Sequence, residues 1–407
     1  MKQKRILLAL LVALGVLQAK SQVLTREDSL NAGLVSSNSP TVLSGYGQAK
    51  VDYDLRQRTG TASLTRNVLF VGHRFSKNIS FFSELELEDA KVSGDSKGEI
   101  SMEQLFLKMN VNPSNYIVAG LFVPRIGIIN ENHLPNTFNG NDRPYVETLI
   151  IPSTWRELGI GFYGQSRRIA GLNYSAAIMN GLNAANFQFG SGIMGGRQEG
   201  SLATASNIAV TGALLYYIKN FRIQASAYIG GSSGLNKRQA DSLQMNYGAF
   251  GSPVGLFDFN VQYHNNGWQI KALATQINIF DAMAINRAYA NNTPERMWGA
   301  YVEAGYNLLR LFKKDTEKNL TYFCRYEQMN LAAKLPVNGI QDDFQKKRYF
   351  VTGLTFQPLR SVSIKADYVM QSTGNYNESL YNVNPYNSRI PFYNTNHHFN
   401  LGIAYSF

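Results

Sequence analysis

The 407-residue sequence is 44% apolar, 12% aromatic and only 16% charged, with a formal net charge of +11 and a single cysteine. That charge content lies well below the roughly 25% of soluble domains, and 23 Tyr and 23 Phe set among aliphatic segments exclude a disordered chain. One cysteine, Cys324, excludes a disulfide framework.

The first element is not part of the fold. Lys2, Lys4 and Arg5 precede an apolar run from Ile6 to Leu17, and Ala19 and Ser21 stand at the minus-3 and minus-1 positions of a cut before Gln22. This pattern predicts a signal peptide over residues 1–21. The run is too short to span a hydrocarbon core of about 30 Å as a helix. Of the 39 basic residues four lie in this peptide, so the excess of the mature chain over its 28 acidic residues is modest. No nucleic-acid partner is expected. Residues 22–42 read as a short periplasmic lead, and 43–407 as the folded unit.

From about Leu43 onward the text has period two. Phe221, Ile223, Ala225 and Ala227 alternate with Arg222, Gln224, Ser226 and Tyr228. Phe399, Leu401, Ile403, Tyr405 and Phe407 alternate likewise with His398, Asn400, Gly402, Ala404 and Ser406. Such segments are strands with one apolar and one small or polar face. Short links near 76–78, 112–115, 165–168, 219–220, 265–267, 311–318 and 357–360 alternate with longer polar ones, the longest being 124–155. This predicts about sixteen antiparallel strands with both ends on the short-turn side, the plan of an outer-membrane β-barrel. Closure is required because lipid offers no partner to edge N–H and C=O groups. Tyr116, Trp155, Trp268, Trp298, Tyr349, Tyr405 and Phe407 are expected in interfacial girdles.

Side-chain chemistry then points inward. Glu84, Glu86 and Glu88 share one face of a strand and must look away from hydrocarbon. Arg222, Lys271, Glu303, Arg325, Glu327, Lys365 and Asp367 occupy the matching faces of later strands, where they either brace the lumen or set a field across it. The long link 124–155 and the residues just after it combine Arg125, Glu131, His133, Asp142, Arg143, Glu147 and Arg156 with four prolines, the composition of a pore constriction. His397 and His398 are adjacent and so face opposite ways, and no HExxH, CxxC, GxSxG or phosphate-loop motif occurs. Neither an enzyme nor a metal or other cofactor is expected.

The stretch Gly120-Leu-Phe-Val-Pro-Arg-Ile-Gly-Ile-Ile-Asn-Glu131, with His133, Phe138-Asn-Gly140, Arg143-Pro144, Val146-Glu147, Ile150-Ile-Pro152 and Thr154-Trp-Arg-Glu-Leu-Gly159, resembles the third loop of Bacteroidetes outer-membrane porins related to the phosphate-selective porin O/P superfamily. The resemblance implies a third loop folded into the lumen and passive diffusion of small hydrophilic solutes or ions. It also implies an outer-membrane lipid setting and a homotrimer after common porin practice. Tyr405 and the terminal Phe407 resemble the signal read by the outer-membrane assembly machinery. No ladder of arginines marks a phosphate track, so anion preference does not follow. The alternative is a closed barrel serving hydrophobic substrates or a secretion apparatus.

Overall fold

The computed structural model describes residues 39–94, 98–313, 316–375, 377 and 393–407. The expected signal peptide, and the lead except for its last residues, lie outside this set. Sixteen strands form one sheet: β1 (Thr41–Asp54), β2 (Thr59–Arg74), β3 (Ile79–Glu88), β4 (Ile100–Asn112), β5 (Asn115–Phe122), β6 (Glu157–Gln165), β7 (Leu172–Asn180) and β8 (Ile208–Ile218). The second half comprises β9 (Phe221–Gly230), β10 (Val254–Asn265), β11 (Trp268–Ile279), β12 (Arg296–Asn307), β13 (Asn319–Lys334), β14 (Lys346–Leu359), β15 (Val362–Thr373) and β16 (Thr395–Ser406). Each strand pairs antiparallel with its neighbours in sequence, and β1 pairs with β16, closing the barrel. The seam is locked by Gly45 and Phe407, each donating its N–H to the other's carbonyl at 3.1 and 2.9 Å. The strand count agrees with the sequence reading, and β1 starts two residues before the expected 43; the first link, expected to be long near 57–61, is instead a tight 55–58 turn as short as 75–78, because β1 and β2 stay paired out to Asp54 and Thr59.

The alternation decides which face is which. On the outside, Leu69, Leu85, Leu107, Ile160, Phe162, Ile178, Leu214, Phe257, Phe259, Val302, Ile364 and Leu401 are all exposed. An apolar surface this continuous suits hydrocarbon rather than water. No helix among the described residues is long and apolar enough to cross a membrane. Trp268 and Phe407 are exposed on the outer face, as girdle residues should be.

Three of the expected girdle aromatics are inside instead. Trp155 is fully buried against Tyr228, Tyr349 stacks on Tyr145 with centroids 4.0 Å apart, and Tyr116 stacks on Tyr163 at 5.2 Å. Period two separates two faces without saying which is wet, and an inner face that packs against chain needs aromatics as much as an outer one does.

The long-link end carries three short helices: α1 (Tyr145–Leu149), α2 (Lys237–Leu243) and α3 (Ala282–Tyr289). Asn236 caps α2 by accepting from the Gln239 N–H while the Gln239 side chain accepts from the Asn236 N–H, the reciprocal capping box. The largest apolar cluster joins Ile126, Ile129, Val146, Ile150 and Trp155 to inward residues of the strands, among them Leu273, Ile277, Met297 and Phe323.

Candidate functional site: segment 123–156 and the inner wall

The link between β5 and β6 is knit to itself before it meets the wall. Pro124, Pro135, Pro144 and Pro152 each fix φ, and Pro144 immediately precedes α1. Glu147 on α1 accepts the N–H groups of Ile128 (2.8 Å) and Ile129 (2.6 Å) through Oε2, and the Tyr301 hydroxyl of β12 through Oε1 at 2.6 Å. Asn130 donates to the Pro124 carbonyl at 2.9 Å and accepts from the Trp155 N–H at 2.6 Å, tying the two ends of the segment together. Gly127 sits at φ +71°, and a Cβ there would lie 2.7 Å from Glu147 Oε2, so a side chain is doubly excluded.

The same segment then bonds to strands from β9 round to β1. Gly127 donates to Asp258 of β10 at 3.1 Å, and Gln224 of β9 donates to the Gly127 carbonyl at 3.0 Å. Asn139 donates to Glu303 of β12 at 3.0 Å, and the Val146 N–H to Glu327 of β13 at 2.8 Å. Asn136 donates to Ser406 of β16 at 2.8 Å and its carbonyl accepts from Gln357 of β14 at 2.9 Å. Lys365 of β15 gives its ammonium to the carbonyls of Pro135, Phe138 and Gly140. Beside them across the seam, Gln48 of β1 reaches the Asn141 carbonyl at 2.6 Å and Lys50 pairs with Asp142. Gly299 of β12 admits α1: a Cβ there would meet Val146 Cγ1 at 2.9 Å.

Every charge expected at the constriction is therefore held. Arg125 pairs with Glu131, which also meets Arg222 of β9 at 3.4 Å. Arg156 pairs with Glu199 at 2.9 Å and Arg143 donates to Thr154 at 3.0 Å. Burial and the neighbouring Arg66 push the Arg143 guanidinium down to about 10.

Several of the expected wall charges meet one another directly. Arg325 lies between Glu303 (3.1 Å) and Glu327 (2.8 Å) and donates to the carbonyls of Asn139 and Asp142, with Lys271 at 3.8 Å from Glu303. Asp367 accepts from the Asn141 backbone at 2.7 Å and from Asn400 at 2.9 Å. Glu84 and Glu86 are buried while Glu88 is half-exposed. The Tyr405 hydroxyl bonds Asn67 at 2.7 Å on the outer face. His397 and His398 meet different partners, Tyr368 and Asp52, as opposite faces require.

One cluster contains residues that alternation could not find. The pairing of β3 with β4 slips between Glu84 and Leu85, where Glu84 faces Gln104 and Leu85 faces Met102, leaving Glu103 as the extra residue of a bulge. Regular alternation would turn Glu103 outward with Leu105 and Leu107; the bulge turns it inward, where it is wholly buried. It accepts from the Tyr46 hydroxyl at 2.7 Å. His133 brings the segment to the same place: Nδ1 lies 3.0 Å from the Asn130 carbonyl and Nε2 3.0 Å from the Tyr46 oxygen. Glu103 and Glu84 also lie beside that nitrogen. Burial alone would lower its proton affinity, but Glu103 and Glu84 outweigh that and hold it above the ordinary histidine value. Arg66 of β2 adds an ion pair to Glu86 at 3.2 Å.

Space remains at the short-turn end. A cavity of about 400 Å³ is lined by Lys77, Lys108, Tyr116, Arg125, Tyr163 and Asn173. Another of about 490 Å³ lies beside Asn136, Asn139, His264, Gln269, Thr321 and Arg360.

Glu147 supplies a pH test of the segment's anchorage. Its burial pushes the carboxyl up to about 7 despite the donors of Tyr301, Ile129 and Ile128. Unfolded, it titrates near about 4.3. The folded state thus holds the extra proton between those values, and stability falls as pH rises through that window. In thermal denaturation of the detergent-solubilised barrel, Glu147→Gln should melt above wild type at pH 8, with the gap closing toward pH 4.5. A gap independent of pH would contradict this.

The fold and inner wall define a closed 16-strand barrel of the porin type. The sequence is 31% identical over 343 residues to an uncharacterized protein of Aquifex aeolicus (strain VF5), spanning 81% of this chain and 75% of that one, and the chain belongs to that protein's family. No protein-family model matches. Among solved structures it is similar to OmpF of Salmonella typhi in complex with daunomycin (TM-score 0.58, 14% identity, 90% of this chain and 97% of that one). It is also similar to the outer-membrane channel DcaP of Acinetobacter baumannii (0.53, 12%, 90% and 97%) and the anion-selective porin of Comamonas acidovorans (0.52, 10%, 90% and 99%). At these identities the likeness is one of fold.

Proposed function

We propose that the chain is a non-catalytic outer-membrane porin through which small hydrophilic solutes or ions diffuse passively, and that segment 123–156 folds into the lumen and narrows it. The observation that carries this reading is the set of bonds from one link to the inward faces of β1, β9, β10, β12, β13, β14, β15 and β16 inside a barrel with an apolar exterior. A link that reaches opposite walls at once crosses the space between them. Size exclusion follows from the packing, and ion bias from the charges at its edge, chiefly Arg143, Arg66 and the mouth cavity lined by Lys77, Lys108 and Arg125. The third-loop resemblance to phosphate-selective porins supports the constriction and leaves the solute open.

The closed-barrel alternative draws support from the apolar packing of Ile126, Ile129, Val146, Ile150 and Trp155 on wall residues, which fills part of the interior with hydrocarbon rather than water. Liposome swelling separates the two. Vesicles carrying the purified barrel should swell in small sugars, with rates falling steeply as solute size grows. Swelling no faster than protein-free vesicles for every solute would favour the closed barrel.

A further inference from the structure

The bulge at Glu103 does something the constriction alone does not require: it buries a carboxylate among other carboxylates. Glu84, Glu86 and Glu103 face Arg66 and Arg143, so three carboxyl groups meet two guanidinium groups, with His133 set between Glu84 and Glu103. Its geometry is poor for the carboxylates it faces, because Nε2 is 3.4 Å from Glu103 Oε1 and 3.8 Å from Glu84 Oε2, too long for good charge-assisted hydrogen bonds. Glu103 Oε1 is buried without a hydrogen-bond partner among the described residues.

Those separations fit something else. Ligands about 2.0–2.1 Å from a tetrahedral metal ion stand about 3.3 Å from one another. His133, Glu84 and Glu103 each offer one donor atom, all within 4.8 Å of one another. The imidazole is already oriented as such ligands are, with Nδ1–H held by the Asn130 carbonyl and Nε2 aimed at the carboxylates. Gln104 steadies Glu84 at 2.9 Å, and Tyr46 steadies Glu103 at 2.7 Å. Glu84 and Gln104 also line a small cavity whose Lys108, Tyr116 and Tyr163 are shared with the roomier mouth cavity, which provides an entry path.

We propose that Glu84, Glu103 and His133 form a binding site for a divalent transition-metal ion of the zinc type, held by Nε2 and one oxygen of each carboxylate. A water or the Tyr46 oxygen takes the fourth position. Coordination needs Nε2 without its proton, so binding is coupled to proton release to solvent. Bound, it ties the link at residue 133 to β3 and β4. The nitrogen ligand and the small coordination number disfavour magnesium, which wants octahedral oxygen.

The test is calorimetric titration of zinc chloride into the full-length mature barrel after chelator treatment, in two buffers of different ionisation enthalpy at pH 7.5. One saturable site with proton release is expected. Glu103→Gln, which keeps the Tyr46 contact, and His133→Gln should each weaken it by about 100-fold or more. Glu86→Gln removes a neighbouring charge without removing a ligand and should change affinity only several-fold. Absence of a saturable site in wild type, equal weakening by Glu86→Gln and Glu103→Gln, or magnesium binding as tight as zinc would each overturn the site. The readout is binding, so it stands or falls independently of whether the barrel conducts.

Discussion

Deleting Asn132 to Arg143 should raise single-channel conductance several-fold while the barrel still closes. The deletion removes His133, Asn136, Asn139, Asn141 and Asp142, the side chains that reach β1, β12, β15 and β16. It leaves every strand-to-strand ladder intact, including the β1–β16 seam, and ladder bonds in a closed sheet do not depend on what fills it. The wall groups released, Lys365 and Asp367 among them, lie on one strand face two residues apart and become hydrated rather than stranded. Retained heat-modifiable mobility on a gel reports the barrel, and current at fixed salt reports the lumen. An unchanged conductance in a folded deletion variant would place the segment's bonds outside the permeation path.

Replacing Arg325 by Met should destabilise the barrel by about 3–5 kcal/mol, because Glu303 and Glu327 would then be buried without their shared guanidinium. The loss should fall unevenly on the two carboxylates. Glu303 keeps Asn139 and, at 3.8 Å, the cation Lys271, whereas Glu327 keeps the Val146 and Tyr145 N–H groups but no second ion-pair partner among the described residues. Adding Glu327→Gln to Arg325→Met should therefore recover much of the stability, while adding Glu303→Gln should recover less. Denaturant unfolding in detergent, followed by the gel-mobility shift, measures all three. Additive losses in the double variants would mean that the guanidinium acts through packing rather than charge.

How much of this was legible beforehand depended on whether a feature is local. Strand number, most link lengths and the outward face could be read because period two and turn residues are properties of a few consecutive positions, as in Phe399 to Phe407. The Arg325 network could not, since Glu303 and Arg325 become neighbours only once the register of β12 on β13 is set. Glu103 escaped because alternation assigns it to the lipid side. A lone carboxylate in phase with Leu105 and Leu107 was the available signal, since a charge there is costly unless a bulge turns it away. Trp155 and Tyr349 were placed at the rim because aromatics on a strand end look alike whether the neighbour is a headgroup or a packed loop.

The most direct measurement is the current through planar lipid bilayers after addition of the purified wild-type protein. Discrete, ohmic steps smaller than those of the Asn132–Arg143 deletion are expected. Bilayers that take up the protein, shown by protection of the barrel from added protease, yet remain at the baseline current for both proteins would contradict this.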